Sequence, residues 1–447
     1  MGILYVGDNR SNLNWGRAAS IALHELLSQS FEIVDSVRGD LFDLQTADVG
    51  YVHTLMPRKH YPIFRALLKR RGNVIVRAYL RLERLLGARD FIHEDPEISV
   101  KEICANSAHY PELKRIKDAA QSADAIVVDG DGDLQFSEVP RRQTSFVLAM
   151  IALGLHYKKP VFLINAMVSP PSSTGRGPTT FQYARKLISQ CKVVALRDPL
   201  SFGFAKKEFH GPAICYFPDS LFAWCRVITA GRMSVPANSR FVLPYPEEHL
   251  SGGQVDLSQP YICVGGGAVS ASSPESAVKA YSKLVQAILD MDIQVCLVES
   301  DSPDGYLRTI AANLRLGIVP ARTSAFMSAA ILGNARAFVS GRYHPSIMAS
   351  LGGTPCIFLG SHGHKMESLA KVLDYQSPVT FSACPTDREI QNIVQLLRDY
   401  LKRGDTLREE IRQAADKRCG EAEGLPRFLA DHLYPGPCTE DQTVARQ

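Results

Sequence analysis

Residues 337–351 read AFVSGRYHPSIMASL, and this stretch contains the unit from which the fold is predicted. Ala337–Val339 is short and apolar, which is typical of a buried β-strand. Ser340 and Gly341 make a tight exit, and Pro345 opens a helical pattern, because proline suits the first turn of a helix. A buried strand that runs directly into a helix is the repeating unit of α/β proteins.

The same strand-to-helix pattern recurs along the chain. Its predicted strands are nearly all apolar, as expected for parallel strands that are covered on both faces. They are Ile3–Val6, Val74–Val76, Ala125–Val128, Val161–Asn165, Val193–Leu196, Ile214–Tyr216, Tyr261–Val264, Gln294–Val298, Ala337–Val339 and Cys356–Leu359. Helical spacing lies between them, for example over Pro274–Met291 and Pro303–Leu314. The alternation predicts an α/β fold with two Rossmann-like domains that face a cleft.

Residues 228–259 interrupt this rhythm, with several prolines and glycines and little periodicity. We interpret them as the interdomain connection. They separate an N-terminal domain, 1–227, from a C-terminal domain, 260–434, which ends in a helical tail over Glu389–Asp416. Residues 435–447 are predicted to be a flexible tail. In such a fold the ligand lies at the carboxyl ends of the strands, so we expect the chemistry in the loops that follow them.

The composition is that of an ordinary globular protein, with 447 residues, 45% hydrophobic content and a formal net charge of +4. This charge is too small to indicate nucleic-acid binding, and we expect none. Ten cysteines without a CxxC pair favour free thiols in a reducing compartment. The N-terminus has the pattern of a first strand, and no apolar run reaches about 18 residues, so we predict a cytoplasmic protein.

Arg342 and His344 are the strongest candidates for a functional site. They lie where the predicted strand meets the helix, so that a guanidinium, an imidazole and a helix N-terminus surround one point. A guanidinium forks onto phosphate or carboxylate, a helix N-terminus attracts anions, and histidine exchanges protons near neutral pH. The structural alternative is that Arg342 pairs with a carboxylate and His344 caps the helix.

Arg197 and Lys365 can add further cations to the same cleft. Arg197 ends the predicted strand Val193–Leu196; alternatively, it pairs with its neighbour Asp198. Lys365 follows the strand Cys356–Leu359 and can point into the crevice beside Arg342, with a solvated loop as the alternative.

Carboxylates follow two other predicted strands. Asp219 comes after Ile214–Tyr216, where a loop or capping role is the alternative. Asp129, Asp131 and Asp133 alternate along a glycine-rich turn that suits a cation or sugar hydroxyls, although no calcium-loop pattern is completed.

Asn14 and Trp15 follow the first strand and can line the mouth of the cleft. The Trp15 ring suits stacking on a sugar, with burial in the core as the alternative. His362 and His364 have no obvious third ligand beside them, so we predict no metal site.

Residues 58–89 form an unusually basic segment, with ten lysines and arginines against the single acid Glu83. Interleaved apolar residues make the segment amphipathic. Such a face suits docking on anionic lipid or on a diphosphate-bearing acceptor, and a solvated basic face is the alternative. Docking on lipid would place the protein peripherally at the inner face of the membrane.

Taken together, these motifs resemble those of the polysaccharide pyruvyl transferases, over roughly residues 5–375. The shared order comprises Asn14-Trp15-Gly16, Gly130-Asp131-Gly132, LRDPLS at 196–201, PDSLFA at 218–223, SGRYH at 340–344 and the downstream Lys365. The resemblance implies a fold like that of the GT-B glycosyltransferases. It also implies transfer of pyruvate from phosphoenolpyruvate to two hydroxyls of a sugar, which forms a cyclic ketal and releases phosphate.

The resemblance implies roles for the candidate residues. Phosphoenolpyruvate would be held by Arg197, Arg342, Tyr343, His344 and Lys365. Catalysis would depend on Arg342 and on His344, which would protonate the methylene carbon. A sugar or lipid-linked glycan acceptor would lie against Asn14, Trp15, Asp131 and Asp219. Phosphoenolpyruvate is then a co-substrate, and no resident cofactor or metal is expected.

Two other functions fit the same fold. A nucleotide-sugar glycosyltransferase would use the cationic loop for a diphosphate and would need no proton on carbon. A non-catalytic glycan-binding protein would carry a degenerate site. The second alternative is disfavoured by the presence, in one order, of Arg197, Arg342, His344 and Lys365.

Overall fold

The computed structural model describes residues 2–7, 14–38, 91–136, 141–171, 179–227, 241–242, 255–376 and 379–433. Two six-stranded parallel sheets organise these residues, one in each half of the chain. The predicted class, an α/β fold with two Rossmann-like halves, is confirmed. The predicted strand Val74–Val76 and the basic segment 58–89 lie outside the described residues, as do most of residues 228–259 and the tail 435–447.

The first sheet has the strand order β2-β1-β3-β5-β7-β8, and all its pairings are parallel. The strands of this half are β1 (Gly2–Val6), β2 (Glu32–Val37), β3 (Ala125–Asp129), β4 (Leu134–Gln135), β5 (Val161–Ala166), β6 (Val168–Ser169), β7 (Val193–Leu196) and β8 (Ala213–Tyr216). The helices are α1 (Arg17–Ser28), α2 (Pro96–Asn106), α3 (Pro111–Ser122), α4 (Arg142–His156), α5 (Thr179–Ile188) and α6 (Pro199–Glu208), followed by a 3₁₀ helix (Ser220–Trp224) and the short α7 (Cys225–Val227).

The second sheet has the order β13-β12-β11-β14-β15-β16, again with parallel pairings. After the two-stranded pair β9 (Phe241–Val242) and β10 (Val255–Asp256), the strands are β11 (Tyr261–Gly267), β12 (Gln294–Val298), β13 (Gly317–Val319), β14 (Ala337–Gly341), β15 (Cys356–Leu359) and β16 (Thr380–Phe381). The helices are α8 (Pro274–Leu289), α9 (Tyr306–Leu314), α10 (Ala325–Asn334), α11 (Tyr343–Leu351), α12 (Lys365–Val372), α13 (Asp387–Glu423) and α14 (Leu425–Leu433). No described helix is long and apolar enough to cross a membrane.

The topology fixes where a ligand can enter. In the first sheet the chain runs one way from β1 to β2 and the other way from β3 onwards, so β1 and β3 flank a switch point. In the second sheet β11 and β14 flank the corresponding point. Loops diverge at such switch points and leave a crevice at the carboxyl ends of the strands. The turn that follows β3 and the SGRYH segment that follows β14 therefore lie at these two crevices.

A shared hydrophobic cluster joins the two halves close to these crevices. Ala18, Ala19 and Ala22 of α1 are buried together with Ile347 and Met348 of α11. The 3₁₀ helix Ser220–Trp224, whose Leu221 and Phe222 belong to the same cluster, contacts both α1 and α11, so α11 is held against the N-terminal half.

The helical tail extends beyond its predicted bounds. Helix α13 begins two residues before the predicted Glu389, because Thr386 and Glu389 form a reciprocal capping box. It also runs past the predicted Asp416 and is interrupted by Gly404, whose φ of 52° places it in the left-handed region. The last helix, α14, returns to the first sheet, so the predicted C-terminal domain contributes its final helix to the N-terminal half.

Leu425 and Leu429 of α14 make this return contact. They are buried in one cluster with Ile3 and Tyr5 of β1. This packing covers a face of the first sheet with a segment more than 400 residues away in sequence. The domain boundaries at 227 and 259 stay predictions.

We expect Leu429→Ala to lower the free energy of unfolding by about 2–4 kcal/mol, because it leaves a cavity against β1. Thermal unfolding of the variant measures this loss. The matched control is Arg427→Ala, since Arg427 lies on the exposed side of the same helix. Equal melting temperatures for the two variants would contradict the packing described for α14.

Candidate functional site

Arg197 is the centre of a charged cluster between the two halves of the chain. It follows β7 and is only 1% exposed. Its Nη1 donates to Asp131 Oδ1 at 2.5 Å and to Asp219 Oδ2 at 2.8 Å. The same atom lies 3.2 Å from Nε2 of His344, which comes from the second half. The cluster thus joins loops from both switch points and from the end of β8.

Burial and charge pairing oppose each other at Arg197. Burial alone would lower the pKa of its guanidinium, but the carboxylates of Asp131 and Asp219 raise that pKa overall. Burial would likewise raise the pKa of Asp219, yet Arg197 and a hydrogen bond from His344 lower it. Asp219 also accepts a bond from the Leu221 backbone N–H, so it caps the 3₁₀ helix as well. The alternative considered for Arg197, a pairing with Asp198, is absent from its described hydrogen bonds and ion pairs.

Asp129 is a third carboxyl group directly behind the cluster. It accepts hydrogen bonds from Ser20 Oγ at 2.9 Å and from the amide of Asn165 at 3.2 Å. Burial and the neighbouring charge of Asp131 raise the pKa of Asp129 to about 7. The Asp129 carboxyl therefore carries a proton below about pH 7.

His344 connects the cluster to the first turn of the N-terminal half. Its Nε2 lies 3.6 Å from Asp131 Oδ1 and 3.5 Å from Asp219 Oδ2. On the other side of the ring, Nδ1 lies so close to Gly16 that a Cβ there would be 2.8 Å away. A guanidinium can only donate, so Nε2 accepts from Arg197 in the tautomer that carries its hydrogen on Nδ1, whereas in the other tautomer Nε2 points its hydrogen at the carboxylates. When the ring is protonated, the two carboxylates face its charge.

Tyr343 packs against Arg197 in the cluster. Its ring lies under the Arg197 guanidinium, with 4.4 Å between the guanidinium carbon and the ring centroid. The Tyr343 hydroxyl and the Arg197 Nε are both buried and find no hydrogen-bond partner among the described residues. Buried polar atoms without partners are rare in folded proteins and are found at binding and catalytic sites.

Lys365, at the start of α12, lies with Arg197 at the turn that contains Gly132. A Cβ on Gly132 would be 2.5 Å from Lys365 Nζ and 3.2 Å from Arg197 Nη2. The glycine therefore leaves room for two cations from opposite halves to approach the same turn.

Arg342, unlike Arg197, is bound within its own half. Its Nε and Nη2 donate to Asp304 Oδ1 at 3.1 and 2.6 Å, and its Nη1 donates to Asp301 Oδ2 at 3.1 Å. Burial would lower the pKa of Arg342, but Asp304 and Asp301 raise it. These bonds match the structural alternative considered for Arg342 and use three of its five N–H groups. The predicted role of Arg342 in binding a ligand stays a prediction, and it would depend on the two N–H groups that these bonds leave unused.

Asn14 and Trp15 have different surroundings. Asn14 Oδ1 accepts a hydrogen bond from the Gly16 N–H at 2.7 Å, which fixes the turn beside His344. The Trp15 ring is buried, and its Nε1 donates to the carbonyl of Ala321 at 3.0 Å. The described conformation therefore does not offer the Trp15 ring to a ligand.

Sequence reasoning did not find Asn165, Asp301 and Asp304. Asn165 has a φ of 49° at the end of β5, a conformation that asparagine tolerates better than most residues. Asp301 and Asp304 lie in the polar turn that follows β12. The rule that led to Arg342, polar residues directly after a buried strand, would have found this turn too.

A family model of polysaccharide pyruvyl transferases matches residues 57–363 of the chain. This match covers Arg197, Asp219, Arg342 and His344 and ends just before Lys365. No curated protein sequence matches the chain.

Solved structures with little sequence identity share its fold. A co-structure of S. aureus MnaA with UDP has a TM-score of 0.54 and 11% identity, and the alignment covers 97% of this chain and 95% of that one. The UDP-GlcNAc 2-epimerase from Neisseria meningitidis, bound to UDP-GlcNAc, has a TM-score of 0.53, 10% identity and coverages of 98% and 100%. The N-terminal domain of Candida albicans trehalose-6-phosphate phosphatase has a TM-score of 0.53, 9% identity and coverages of 97% and 99%. These likenesses show a GT-B-like fold and nothing further.

Asp129→Asn should make the stability of the protein less dependent on pH. The Asp129 carboxyl ionises near pH 7 in the folded chain but near pH 4 in the unfolded chain. Between these values the folded state holds the extra proton, so stability falls as pH rises towards 7 and then levels off. We expect the asparagine variant to lack this fall, which is on the order of a few kcal/mol.

Melting temperatures at pH 5, 6, 7 and 8 measure the effect. The control is Asp431→Asn, which changes an exposed carboxylate on α14. If the melting temperatures of the wild type and of Asp129→Asn change with pH in the same way over this range, Asp129 does not take up a proton on folding.

Proposed function

This chain belongs to the polysaccharide pyruvyl transferase family, and we propose that it transfers pyruvate from phosphoenolpyruvate to two hydroxyls of a sugar. The acceptor sugar would be part of a polysaccharide or its precursor. The products would be a cyclic ketal and phosphate. The observation that carries the proposal is the interdomain cluster, in which two cations and one histidine from opposite halves surround the turn at Gly132.

Phosphoenolpyruvate carries a phosphate and a carboxylate, and each presents pairs of oxygens that match the two-pronged donor of a guanidinium. Arg197 has Nη1 occupied by carboxylates, while its Nε has no partner among the described residues. Lys365 would supply a second positive charge next to Nη2. Arg342 would add its two remaining N–H groups, if the donor reaches the turn at Asp301.

His344 would supply the proton that starts the reaction. Proton transfer to the methylene carbon makes C2 of the donor electrophilic, and one sugar hydroxyl then attacks C2. That hydroxyl returns a proton to the imidazole. The second hydroxyl closes the ring as the C2–O bond to phosphate breaks, and its proton leaves with the phosphate. Asp131 and Asp219, both within 3.6 Å of Nε2, would stabilise the imidazolium before the transfer.

The acceptor would lie on the side of the N-terminal half. Asp131 would accept hydrogen bonds from sugar hydroxyls, and Asn14 would border it across the Gly16 turn. The Trp15 ring and the Asp219 carboxylate are both too deeply buried to contact an acceptor. A lipid-linked glycan acceptor and a peripheral contact of residues 58–89 with anionic membrane stay proposals, as does a cytoplasmic location.

An assay of phosphate release from phosphoenolpyruvate against a panel of sugar and lipid-linked acceptors tests the proposed function. Mass spectrometry of the acceptor should show the gain of one pyruvate with the loss of one water. Thermal shifts provide the second readout: the proposal expects stabilisation by phosphoenolpyruvate. Stabilisation by a nucleotide sugar alone would instead favour a glycosyltransferase.

His344→Ala should reduce turnover by roughly 10²–10⁴-fold, the usual contribution of a general acid. Binding of phosphoenolpyruvate, measured by calorimetry, should persist, because the cations of the site are retained. His210→Ala changes an exposed histidine in the N-terminal half and serves as the control. Near-normal turnover in His344→Ala would show that another group supplies the proton.

Gly16→Ala should impair turnover with little change in melting temperature. The backbone of Gly16 is right-handed helical and accepts alanine, but the new Cβ would lie 2.8 Å from both His344 Nδ1 and Asn14 Oδ1. The imidazole must therefore move, and displacements of about 1 Å cost up to roughly 100-fold in rate. The control is Gly203→Ala, where a Cβ meets nothing within 4 Å. Equal activity of the two variants would contradict the close approach of His344 to the first turn.

A further inference from the structure

Two dipeptides from opposite halves of the chain face each other beside the charged cluster. Arg197-Asp198 lies between β7 and α6, and His364-Lys365 lies at the start of α12. In each dipeptide one residue belongs to the cluster, namely Arg197 or Lys365. The other two, Asp198 and His364, contact each other, with 3.2 Å between the carboxylate Oδ1 and the imidazole Nε2.

Asp198 binds across the interdomain boundary through a dense set of hydrogen bonds. Within its own half it accepts from the Ser201 N–H at 2.8 Å and from Ser201 Oγ at 2.6 Å. From the other half it accepts from Ser368 Oγ at 2.6 Å, in addition to the contact with His364. The carboxylate is only 1% exposed, so these partners replace its hydration.

The charge on Asp198 is maintained by this environment. Burial alone would raise its pKa, but the bonds from His364, Ser201 and Ser368 lower the pKa overall. A buried carboxylate that keeps its charge binds its donors strongly, and the loss of one donor leaves that charge poorly compensated. The contact between the halves is therefore specific for a hydrogen-bond donor at position 364.

Ser201, His364 and Asp198 are the residue types of a nucleophilic triad, but their geometry is different. In a triad the histidine receives the serine proton on one ring nitrogen and is oriented by the carboxylate through the other. Here both Ser201 Oγ and Asp198 approach the same nitrogen, Nε2. Ser201 moreover donates its proton directly to Asp198. The arrangement does not activate a nucleophile. Asp198 and His364 instead form a hydrogen-bonded contact between the two halves, which we call the latch.

We propose that Asp198 and His364 are positioning residues, which hold Arg197 and Lys365 together so that both can bind one donor anion. Asp198 is the chain neighbour of Arg197, and His364 is the chain neighbour of Lys365. The contact between Asp198 and His364 therefore holds both cations at the turn that contains Gly132. This inference rests on the proposed function for the identity of the anion, phosphoenolpyruvate. The latch itself does not depend on that identity.

Kinetics of His364→Ala, His364→Gln and Asp198→Asn test the positioning role. His364→Ala should raise the KM for phosphoenolpyruvate by roughly tenfold or more, while the KM for the acceptor changes little. His364→Gln should recover most of the loss, because its amide N–H can still donate to Asp198. The double variant His364→Ala/Asp198→Asn should lose less than the sum of the two single variants, because the contact between positions 198 and 364 is counted in both single losses. The control is His362→Ala, an exposed histidine in the same loop.

Hydrogen–deuterium exchange without substrate separates failure of the latch from failure of the proposed function. His364→Ala should speed exchange at the starts of both α6 and α12, and His362→Ala should not. If the wild type does not bind phosphoenolpyruvate, the proposed function fails, and faster exchange at both helix starts still supports the latch. The latch would be overturned by unchanged exchange at both helix starts in His364→Ala, or by additive effects of His364→Ala and Asp198→Asn. An unaltered KM for phosphoenolpyruvate in an active His364→Ala enzyme would overturn it as well.

Discussion

The ion cluster of Arg197 with Asp131 and Asp219 is the interaction on which the rest of the site depends. A guanidinium that is 1% exposed is strongly destabilising unless carboxylates surround it. The two carboxylates come from the ends of β3 and β8, so the charge requirement fixes the relative positions of three strand ends. The cluster also determines what its neighbours can do. Burial and the neighbouring charge of Asp131 raise the pKa of the adjacent Asp129 to about 7.

The same cluster explains why the site requires both halves of the chain. His344 reaches Arg197 because α11 starts at the switch point of the second sheet and packs against the 3₁₀ helix Ser220–Trp224 of the first half. Lys365 approaches from the next strand of that sheet, β15, beside the hydrogen bonds of Asp198. Gly16 and Gly132 supply the space, since a side chain on either would push against His344 or Lys365. The packing of the two halves and the charges of the cluster therefore place Arg197, His344 and Lys365 together between the halves.

Much of this arrangement could be predicted from the sequence, because buried parallel strands are uniformly apolar and their exits are polar. The strands Val193–Leu196, Gln294–Val298 and Cys356–Leu359 were predicted with their observed bounds. The edge strands Glu32–Val37 and Gly317–Val319 were missed, since the first is mixed in polarity and the second very short. Side-chain partners were harder to predict. Arg342 and Arg197 both follow a buried strand, and both bind carboxylates of their own half. Arg197 also contacts His344 of the other half, and its position after a strand does not predict that contact.

A crystal structure of the protein with phosphoenolpyruvate bound is the most direct test of the account. In that complex we expect the oxyanions of the donor to lie between Arg197 and Lys365, with the methylene carbon within reach of the His344 imidazole. Asp131 and Asp219 should remain paired with Arg197 in the complex. Phosphoenolpyruvate bound away from the turn at Gly132, or bound with His344 turned away from its methylene carbon, would contradict the central claim.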